Sequence, residues 1–316
     1  MGVILAVDGG NTKTELVLAN VDGEPLAYVR GPGSNSHARG GAERCVEVLA
    51  GLVERSRLAP PAEVGVFFLC GADVPADVAA LESAIGARGW ARDAVVDNDT
   101  FALLRAGTDA ADAVAVVCGA GVNCVGRAAD GRVARYPGLG WETGDWGGAE
   151  ALGREALFAA ARAEDGRGPA TALAALVADC FDCPTATAVG EAFHYGRLPA
   201  ARAGELAPAV VAADDEVARS LVERLVGELV LLVERVFRDL GLASADVVLG
   251  GGMLRDGGLV AELVTARLPA GARPVVLREP PVLGAALAAL DAAGARGAAQ
   301  GRLRSAFADG LVPDAG

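Results

Sequence analysis

The sequence predicts an α/β protein built from two duplicated halves. Three strand-like runs open the chain, and helices and strands then alternate, giving the order β-β-β-α-β-α-β-α. The same opening recurs after about residue 113. In each half an Asp-Gly pair, Asp22-Gly23 or Asp130-Gly131, marks a hairpin between the second and third strands. A repeat of this length favours two similar domains that face each other, and not a solenoid.

The first half is predicted to form one domain over residues 1–108. Strands are predicted at 3–7, 15–20, 25–30, 64–70 and 94–97, and helices at 41–58, 76–88 and 99–107. The run VGVFFLC at 64–70 is apolar throughout, so this strand is predicted to be buried.

The second half, residues 109–316, is predicted to repeat this order around a long insertion. Strands are predicted at 113–118, 123–128, 132–136, 245–250 and 274–277, with helices at 255–268 and 281–292. The insertion covers about 147–240 and has mostly helical periodicity. The tail after Ala293 is small and polar and has weak signals of order.

Composition excludes several classes of partner. The net charge of −13 disfavours nucleic acid, whose binding requires a basic face. The most apolar run, 225–237, carries Glu228, Glu234 and Arg235, so it is predicted to be a buried helix and not a membrane span. The chain enters a strand at once, without a basic segment or a cleavage site, and its six cysteines are scattered. We therefore expect a cytoplasmic protein with reduced thiols and no membrane partner.

The stretch AVDGGNTKT, residues 6–14, predicts an anion-binding turn. Gly9 and Gly10 fall between two antiparallel strands, where backbone N–H groups can approach an anion. Thr12 and Thr14 can add hydroxyl donors, and Lys13, the only lysine of the chain, can add a positive charge. A plain hairpin turn rich in Gly and Asn is the alternative.

Asp8 ends the first strand and is poorly placed to touch phosphate directly. It is well placed to hold the water shell of a Mg²⁺ ion, which keeps several waters when few carboxylates bind it.

Two further glycine loops lie in the second half. VVCGAGVNCVG, residues 116–126, is not a dinucleotide fingerprint, because Cys124 stands where the third glycine should be and a strand follows. It is not a Walker loop either, since no Gly-Lys-Ser/Thr opens a helix. Two glycine hairpins, one per repeat, would suit the binding of a nucleotide's phosphate groups from both sides.

A third glycine loop is VVLGGGMLRDGG, residues 247–258. Its Gly250 to Gly252 could lie flat against an adenosine or could form a tight strand-helix connection.

The three loops together resemble a known superfamily. DGGNTKT, CGAGVNC and LGGGM are similar to the phosphate-one, phosphate-two and adenosine motifs of the superfamily that contains hexokinase and actin. More closely, the chain resembles the N-acetylglucosamine kinase branch, grouped with the BadF/BadG/BcrA/BcrD-type ATPases. Supporting stretches are GSNSH (33–37), VDNDTFALLRAG (96–107) and GLGWETGDWGG (138–148), and the likeness covers about residues 2–290.

This resemblance implies two ribonuclease-H-like domains around a nucleotide cleft and transfer of the ATP γ-phosphate to a sugar hydroxyl, assisted by Mg²⁺. It assigns site residues in three groups. The nucleotide would contact Gly9, Gly10, Asn11, Thr12, Lys13, Thr14, Gly119, Ala120, Gly121, Asn123, Gly250, Gly251, Gly252 and Met253. The sugar would contact Asn35, Ser36, Gly71, Asp99, Gly144 and Asp145, and Asp8 would organise the metal.

The segment VDNDT supplies two candidate bases, Asp97 and Asp99. Phosphoryl transfer to an alcohol needs a carboxylate within reach of the hydroxyl proton. Alternation puts both aspartates on one side, with Asn98 on the other. The resemblance selects Asp99 as the base and leaves Asp97 a structural role. An N-cap role for Asp99 at the start of the helix 99–107 stays open.

Some positions depart from the family pattern. Ala120 stands where the second phosphate loop usually carries a hydroxyl, and Cys70 where the eukaryotic kinases tend to have serine beside the acetamido pocket. The loop 33–37 is not followed by their tryptophan, and Trp146 replaces a common acidic residue. These changes surround the amino substituent, so glucosamine and N-acetylglucosamine both remain open as substrates. Trp141 and Trp146 could face a pyranose ring or belong to the core.

The remaining cysteines and histidines carry weak signals. Cys180 and Cys183 have C-x-x-C spacing, but no second pair or adjacent histidine supports a zinc site. His194 is predicted to be structural, whereas His37 lies in a candidate sugar loop.

The sequence therefore favours an ATP-dependent amino-sugar kinase that forms the 6-phosphate of N-acetylglucosamine or glucosamine. Two alternatives are kept: an iron–sulfur ATPase that activates an acyl-CoA dehydratase or reductase, and a sugar sensor without turnover. In the first, Cys118 and Cys124 would have to bind a cluster while flanking a phosphate loop. The sequence leaves open whether the protein forms a homodimer.

Overall fold

The computed structural model describes residues 2–37, 40–59 and 61–313. It divides into two compact units, and each is described by itself. One consists of Met1–Ala115 with Leu277–Gly316, and the other of Val116–Val276. The predicted domains, 1–108 and 109–316, differ from these units chiefly because the C-terminal segment packs with the first unit.

The first unit contains a five-stranded sheet in the order β3-β2-β1-β4-β5. The strands are β1 (Val3–Gly9), β2 (Lys13–Asn20), β3 (Pro25–Pro32), β4 (Ala62–Leu69) and β5 (Ala91–Asp97). β1, β2 and β3 are antiparallel neighbours, while β4 and β5 run parallel to β1. Three helices follow strands in this part of the chain: α1 (Gly41–Ser56), α2 (Pro75–Gly86) and α3 (Thr100–Gly107).

Both faces of this sheet are covered, which explains why its inner strands are apolar at nearly every position. Leu5 and Val7 of β1 point into one core together with side chains of α1, such as Leu49. Ile4 and Ala6 point into the opposite core. Successive side chains of a strand alternate between faces, so a strand buried on both sides needs a continuous apolar run.

The second unit contains a five-stranded sheet of the same pattern, in the order β10-β9-β6-β7-β8. The strands are β6 (Ala113–Cys118), β7 (Val122–Arg127), β8 (Val133–Arg135), β9 (Ala245–Gly250) and β10 (Ala272–Val276), and the boundary between units falls within β6. In both sheets the first strand of the repeat is central, flanked by the second and the fourth. The predicted duplication is therefore confirmed at the level of strand order.

The insertion between β8 and β9 is helical, as predicted. Its helices are α4 (Gly148–Glu164), α5 (Leu173–Cys180), α6 (Ala186–His194), α7 (Ala207–Ala212) and α8 (Glu216–Leu240), and α9 (Leu259–Arg267) follows β9. Asp215 caps α8 by accepting a hydrogen bond from the Ala218 amide at 3.0 Å. The apolar run 225–237 lies within α8 and buries one face of it. No helix in the described ranges has the length and apolarity that a membrane crossing requires.

The chain ends with α10 (Pro281–Ala292) and α11 (Ala298–Ala308), both in the first unit. α10 supplies seven of the seventeen buried residues of the core that contains Ile4 and Ala6. Its Gly284 lies so close to α3 that an added Cβ would sit 1.8 Å from the Ala102 carbonyl oxygen. The expectation of weak order after Ala293 is wrong for α11, which buries Leu303 completely. Its periodic signal is faint because small and polar residues surround its two large apolar side chains, Leu303 and Phe307.

Candidate active site

The glycine turn between β1 and β2 is held by the two loops next to it. The Gly10 amide donates to the Lys13 carbonyl at 2.9 Å, and the Gly10 carbonyl accepts from the Ser34 amide at 3.1 Å. The Gly9 carbonyl accepts from the Cys70 amide at 2.7 Å. A Cβ on Gly9 would lie 2.5 Å from the Ser34 hydroxyl oxygen. A side chain at position 9 would therefore push these loops apart.

The side chains of this turn point in different directions. Asn11 and Thr12 are exposed, in keeping with a role at an anion. Thr14 is completely buried, and its hydroxyl donates to the Ser34 hydroxyl at 2.9 Å. Thr14 thus supports the loop from within, and in this structure its hydroxyl does not face solvent.

Lys13 is already engaged in an ion pair. Its ammonium nitrogen lies 2.6 Å from Oε2 of Glu15, whose other carboxylate oxygen accepts from the Tyr28 hydroxyl at 2.6 Å. The Lys13 side chain is still 39% exposed while that of Glu15 is 4% exposed. Lys13 therefore carries a tethered but accessible charge beside the turn.

Asp8 is a buried carboxylate near the end of β1. Its exposed fraction is 8%, and no residue in the described ranges forms a hydrogen bond or an ion pair with its side chain. Burial raises the pKa of Asp8 well above its ordinary value, Asp99 and Glu15 raise it further, and Lys13 opposes the rise. Such a carboxylate fits a cation ligand, since a nearby cation would favour its ionised form.

The donor set suits Mg²⁺ better than a metal held by protein alone. Within the described residues, no group of three or more His, Cys, Asp or Glu side chains is arranged to bind a metal. Mg²⁺ is commonly held by one or two carboxylates, water and substrate phosphates. Asp8 beside a glycine turn matches that kind of site.

The loop after β3 joins the glycine turn to the loop after β4. Asn35 donates from Nδ2 to Oδ1 of Asn11 at 2.5 Å, and its own Oδ1 accepts from the His37 amide at 2.7 Å. The Ser36 hydroxyl donates to the Gly71 carbonyl at 3.0 Å. The predicted sugar residues Asn35, Ser36 and Gly71 are therefore brought together, and in contact with a predicted nucleotide residue.

Gly71 is required by this arrangement. Its φ is +84°, and a Cβ would lie 2.4 Å from the Ser36 hydroxyl oxygen. Cys70, next to it, is buried with its sulfur 4.0 Å from Oδ1 of Asn11. Burial raises the pKa of the Cys70 thiol, and nearby Asp99 raises it further, so this side chain stays neutral.

The start of α3 shows which residue of VDNDT caps the helix. Asn98, 4% exposed, accepts through Oδ1 from the Thr100 amide at 3.0 Å and the Thr100 hydroxyl at 2.6 Å. Asp99 occupies the N-cap position, but its side chain makes no capping hydrogen bond. The capping alternative for Asp99 is therefore wrong, because the preceding asparagine performs it. Asp97 accepts from the Asn98 amide at 2.7 Å, which agrees with a structural role.

The environment of Asp99 suits a base. Burial raises its pKa to about 7, and the charge of Asp73 contributes to the rise, while the amides of Thr100 and of Asp99 itself oppose it. A carboxylate with a pKa near neutrality can accept a proton in the transition state and release it afterwards.

Sequence reasoning missed Asp73. Its Oδ1 accepts from the Asn98 amide group at 2.7 Å, and its Oδ2 lies 3.5 Å from Nδ1 of His37. The other ring nitrogen of His37 lies 3.2 Å from Oδ2 of Asp77. The available signal was position. Asp8 lies near the carboxyl end of β1, and Asp73 and Asp99 follow the carboxyl ends of β4 and β5; these are three adjacent parallel strands, whose carboxyl ends meet at one edge of the sheet.

In the second unit, the two remaining glycine loops touch each other. The Gly119 amide donates to the Gly121 carbonyl at 2.9 Å, which closes the turn between β6 and β7. The Met253 amide donates to the Cys118 carbonyl at 3.0 Å. A Cβ on Gly251, where φ is +91°, would lie 2.4 Å from that same carbonyl oxygen. The predicted phosphate and adenosine motifs of this unit are therefore in contact.

Helix α4 begins directly on the second phosphate loop. The Ala149 amide donates to the Gly119 carbonyl at 2.8 Å, and the Glu150 amide donates to the Ala120 carbonyl at 3.0 Å. Gly148 has φ +78°, and a Cβ there would lie 2.4 Å from the Ala120 carbonyl oxygen. The positive end of the helix dipole thus lies beside the loop, which favours negative charge there.

Gly144 and Asp145 lie in the turn between β8 and α4, in the second unit. The Asp145 carboxylate accepts a hydrogen bond from the Thr143 hydroxyl. The next residue, Trp146, is covered by Arg224, whose guanidinium carbon lies 3.8 Å from the ring centre. Trp141, in contrast, is 84% exposed, so the core alternative is wrong for it.

A comparison with protein families matches residues 5–289 to the model of the BadF/BadG/BcrA/BcrD ATPase family. The chain belongs to the BadF/BadG/BcrA/BcrD ATPase family. The resemblance inferred from the glycine loops is thereby confirmed, and the match includes all three loops and the segment with Asp99.

Two curated relatives of this family member are similar over most of their length. The chain is 26% identical over 265 residues to an N-acetylmuramic acid/N-acetylglucosamine kinase of Clostridium acetobutylicum, covering 81% of this chain and 87% of the relative. It is 24% identical over 289 residues to an N-acetyl-D-glucosamine kinase of Dictyostelium discoideum, covering 84% of this chain and 90% of the relative.

Solved structures support the fold of this ATPase family member. A candidate N-acetylglucosamine kinase from Chromobacterium violaceum has a TM-score of 0.69 at 22% identity, over 92% of this chain and 99% of that chain. A glucokinase of the ROK family from Streptomyces griseus, solved with glucose and AMPPNP, has a TM-score of 0.53 at 16% identity, over 90% and 99%. The predicted fold class, duplicated domains of the hexokinase type, is confirmed.

Proposed function

We propose that the protein is an ATP-dependent amino-sugar kinase that transfers the γ-phosphate to the 6-hydroxyl of N-acetylglucosamine or glucosamine. The observation that carries the proposal is Asp99, a buried carboxylate free of helix capping, with a pKa of about 7, whose charge also raises the pKa of Cys70 and of Asp8. Family membership and the names of the two curated relatives support the reaction class.

In the proposed mechanism Asp99 accepts the proton of the sugar hydroxyl as the new bond to phosphorus forms. The exocyclic hydroxyl of a hexosamine is a weak nucleophile, and a positioned base typically contributes 10²–10⁴-fold to such a step. Asn98 holds the helix start, so the base does not have to serve as a cap. The hydroxyls and amides of Asn35 and Ser36 would orient the sugar through its ring hydroxyls.

The phosphates would be bound mainly by backbone. In the first unit the glycine turn presents the exposed residues Asn11 and Thr12, and in the second unit Gly119 to Gly121 lie at the positive end of α4. Ala120 carries no hydroxyl, so in the proposed site only backbone N–H groups of this loop would bind phosphate. Mg²⁺, when bound, would neutralise charge on the phosphate oxygens, and Asp8 would hold its water shell.

Burial argues against the iron–sulfur alternative. Cys118 and Cys124 are both completely buried, and burial raises the pKa of Cys118 to about 12 and raises that of Cys124 as well. A cluster ligand must be a thiolate, and this environment favours the neutral thiol. The Cys118 carbonyl also anchors the loop at Met253, which fits a nucleotide role.

Coupled ADP release tests the proposed function. Purified protein would be assayed with Mg·ATP and a panel of N-acetylglucosamine, glucosamine, other amino sugars and hexoses. We expect sugar-dependent ADP with at least one amino sugar, and the panel also decides whether the acceptor is acetylated. Sugar binding without sugar-dependent ADP would instead identify a sensor.

The role of Asp99 has a matched control in the same segment. Asp99→Asn should lower kcat by about 10²–10⁴-fold with the Kd of ATP unchanged, because the base is lost but no nucleotide contact is. Asp97→Asn keeps an oxygen that can accept from the Asn98 amide, so it should retain activity within about threefold. Unchanged turnover in Asp99→Asn would remove Asp99 from the mechanism.

Partners and location stay proposals of the same kind. The net charge of −13 supports a small-molecule acceptor and no nucleic-acid partner. A cytoplasmic location and a homodimer are predictions that cell fractionation and sedimentation would check.

A further inference from the structure

Glu15 is a buried carboxylate on a strand face that is otherwise apolar. It is 3% exposed, and the next residues on the same face of β2, Val17 and Ala19, are completely buried in the core that contains Ile4. Removing a carboxylate from water is costly, and apolar side chains in place of a buried ion pair are often neutral or stabilising. Packing alone therefore does not explain a carboxylate at position 15.

Two donors hold the Glu15 carboxylate in one orientation. Its Oε2 accepts from the Lys13 ammonium at 2.6 Å, and its Oε1 accepts from the Tyr28 hydroxyl at 2.6 Å. Lys13 and Glu15 are two residues apart on β2, so their side chains leave the same face of the sheet. With one oxygen on each donor, the carboxylate cannot rotate without losing a hydrogen bond.

The Lys13 ammonium keeps donors available. Its side chain is 39% exposed, against 4% for Glu15, so the buried member of the pair holds the accessible one. An ammonium has three N–H donors, and Glu15 is the only hydrogen-bond or ion-pair partner of this side chain among the described residues. The Lys13 carbonyl accepts from the Gly10 amide at 2.9 Å, which makes the lysine part of the glycine turn. Donors on this ammonium are therefore available to an anion at the turn.

The register of the strands shows that Glu15 pairs with the lysine of the turn in preference to another cation. Arg30 lies directly opposite Glu15 on β3, yet it is exposed and forms no ion pair within the described ranges. On the other side, Asp8 lies directly opposite Glu15 on β1. Opposite residues of an antiparallel pair share a face, with Cβ atoms about 4.5–5.5 Å apart. The Lys13 charge is thus fixed close to the carboxylate proposed to serve the metal.

A lysine side chain without such a partner has many rotamers and loses that freedom when it binds a ligand. We propose that Glu15, itself oriented by Tyr28, is a positioning residue that keeps the Lys13 ammonium at the glycine turn for contact with nucleotide phosphate. This proposal rests on the kinase function proposed above and adds to it a determinant of phosphate affinity. Glu15 and Tyr28 touch neither the nucleotide nor the sugar, and they act through Lys13.

Equilibrium binding of Mg·AMPPNP, with no sugar present, tests the proposal. Glu15→Gln keeps the size of the side chain and an oxygen for the Tyr28 hydroxyl, but it no longer attracts the ammonium. The Kd of AMPPNP should rise about three- to tenfold in this variant. Loss of a negative charge near the turn would by itself strengthen phosphate binding, so charge alone predicts the opposite change. An unchanged or lower Kd would overturn the proposal.

A double-mutant cycle shows whether Glu15 acts through Lys13. Lys13→Gln removes the charge and keeps a donor for the buried carboxylate, and it should raise the Kd about tenfold. Addition of Glu15→Gln to Lys13→Gln should raise the Kd no further. If Glu15→Gln raised the Kd by the same factor with and without Lys13, Glu15 would not act through the lysine. Lys13→Arg, which keeps a charge and donors, should stay within about threefold of the wild-type Kd.

Glu24→Gln is the matched control. It removes the same charge at the far end of the β2–β3 hairpin, where Glu24 accepts from the Asn20 amide group at 3.1 Å, and it should bind AMPPNP as the wild type does. An equal rise of the Kd in Glu24→Gln would overturn the positioning role.

The outcomes separate this proposal from the kinase function, because AMPPNP binding requires no turnover. Sugar-dependent ADP release by the wild type together with an additive cycle would overturn the positioning role and leave the kinase intact. A non-additive cycle without sugar-dependent ADP release would support the positioning role and refute the kinase.

Discussion

The proposed base makes the reaction rate depend on pH where an ordinary carboxylate would not. Burial and the charge of Asp73 raise the pKa of Asp99 from 3.8 to about 7, so the side chain takes up a proton as the pH falls through that value. Only the deprotonated form can act as a base. The pH dependence of kcat/KM reports the pKa of the base in the free enzyme.

The size of the effect follows from this pKa. At pH 6 about one-tenth of the molecules would carry ionised Asp99, and at pH 8 about nine-tenths, so kcat/KM should rise about tenfold between them. A carboxyl with a pKa of 3.8 would be almost fully ionised at both values and would give a flat profile.

The assay is coupled ADP release at sugar concentrations well below KM, with free Mg²⁺ and ionic strength held constant and N-acetylglucosamine as an uncharged acceptor. Asp73→Asn is the diagnostic variant, because it removes one negative charge near Asp99 yet keeps an oxygen for the Asn98 amide. The midpoint should move to lower pH in this variant, whereas ionisation of ATP would not respond to it. A flat profile, or the same midpoint in both proteins, would refute the assignment of Asp99.

Three further predictions concern the scaffold. Gly71→Ala should lower the free energy of unfolding by about 1–3 kcal/mol and raise the sugar KM, because φ at Gly71 is +84° and the neighbouring loop leaves no space for a side chain. The control is Gly51→Ala, in open space on α1, which should raise the free energy of unfolding by about 0.5–1 kcal/mol. Equal melting temperatures of the two variants would contradict this contrast. A thiol reagent should label the native protein at the exposed Cys180 and the half-buried Cys183, while the four buried cysteines should react only after denaturation. Rapid labelling of all six cysteines in the native protein would be inconsistent with the burial of those four. Leu303→Ala should lower the free energy of unfolding in urea by about 2–4 kcal/mol, and a change under about 0.5 kcal/mol would show that α11 adds little to the first unit.

Much of the secondary structure was predictable because its signals are local. Apolar runs placed nine of the ten strands within about two residues, and β5 starts three residues earlier than predicted, at Ala91. The Asp-Gly turns identified both hairpins. α11 was missed because it has only two large apolar residues, Leu303 and Phe307, and the burial of Leu303 depends on a surface formed by α10 and by the turn at Gly23.

The candidate site was predicted less completely than the fold. Asp8, Asp99 and the glycine turns were found from sequence, because strand ends and glycine clusters are visible in it. The choice of Asn98 over Asp99 as helix cap could not be predicted, since the two neighbours are chemically equivalent for capping and the backbone direction selects one. Asp73 was missed because its partners, Asn98 and His37, lie more than about twenty residues away in the sequence, so no local pattern connects them.

By itself, the sequence determined the type and order of the elements and the turns where only glycine fits, since these depend on hydrophobic periodicity and on backbone sterics within a few residues. Only the tertiary structure decided which side chains meet. It turned Thr14 inward to Ser34, buried Asp8 with no hydrogen-bond or ion-pair partner among the described residues, and held Trp141 in solvent. The physical reason is that burial, and with it the pKa of a carboxylate, is a property of all the surrounding chain and is not encoded in any one segment.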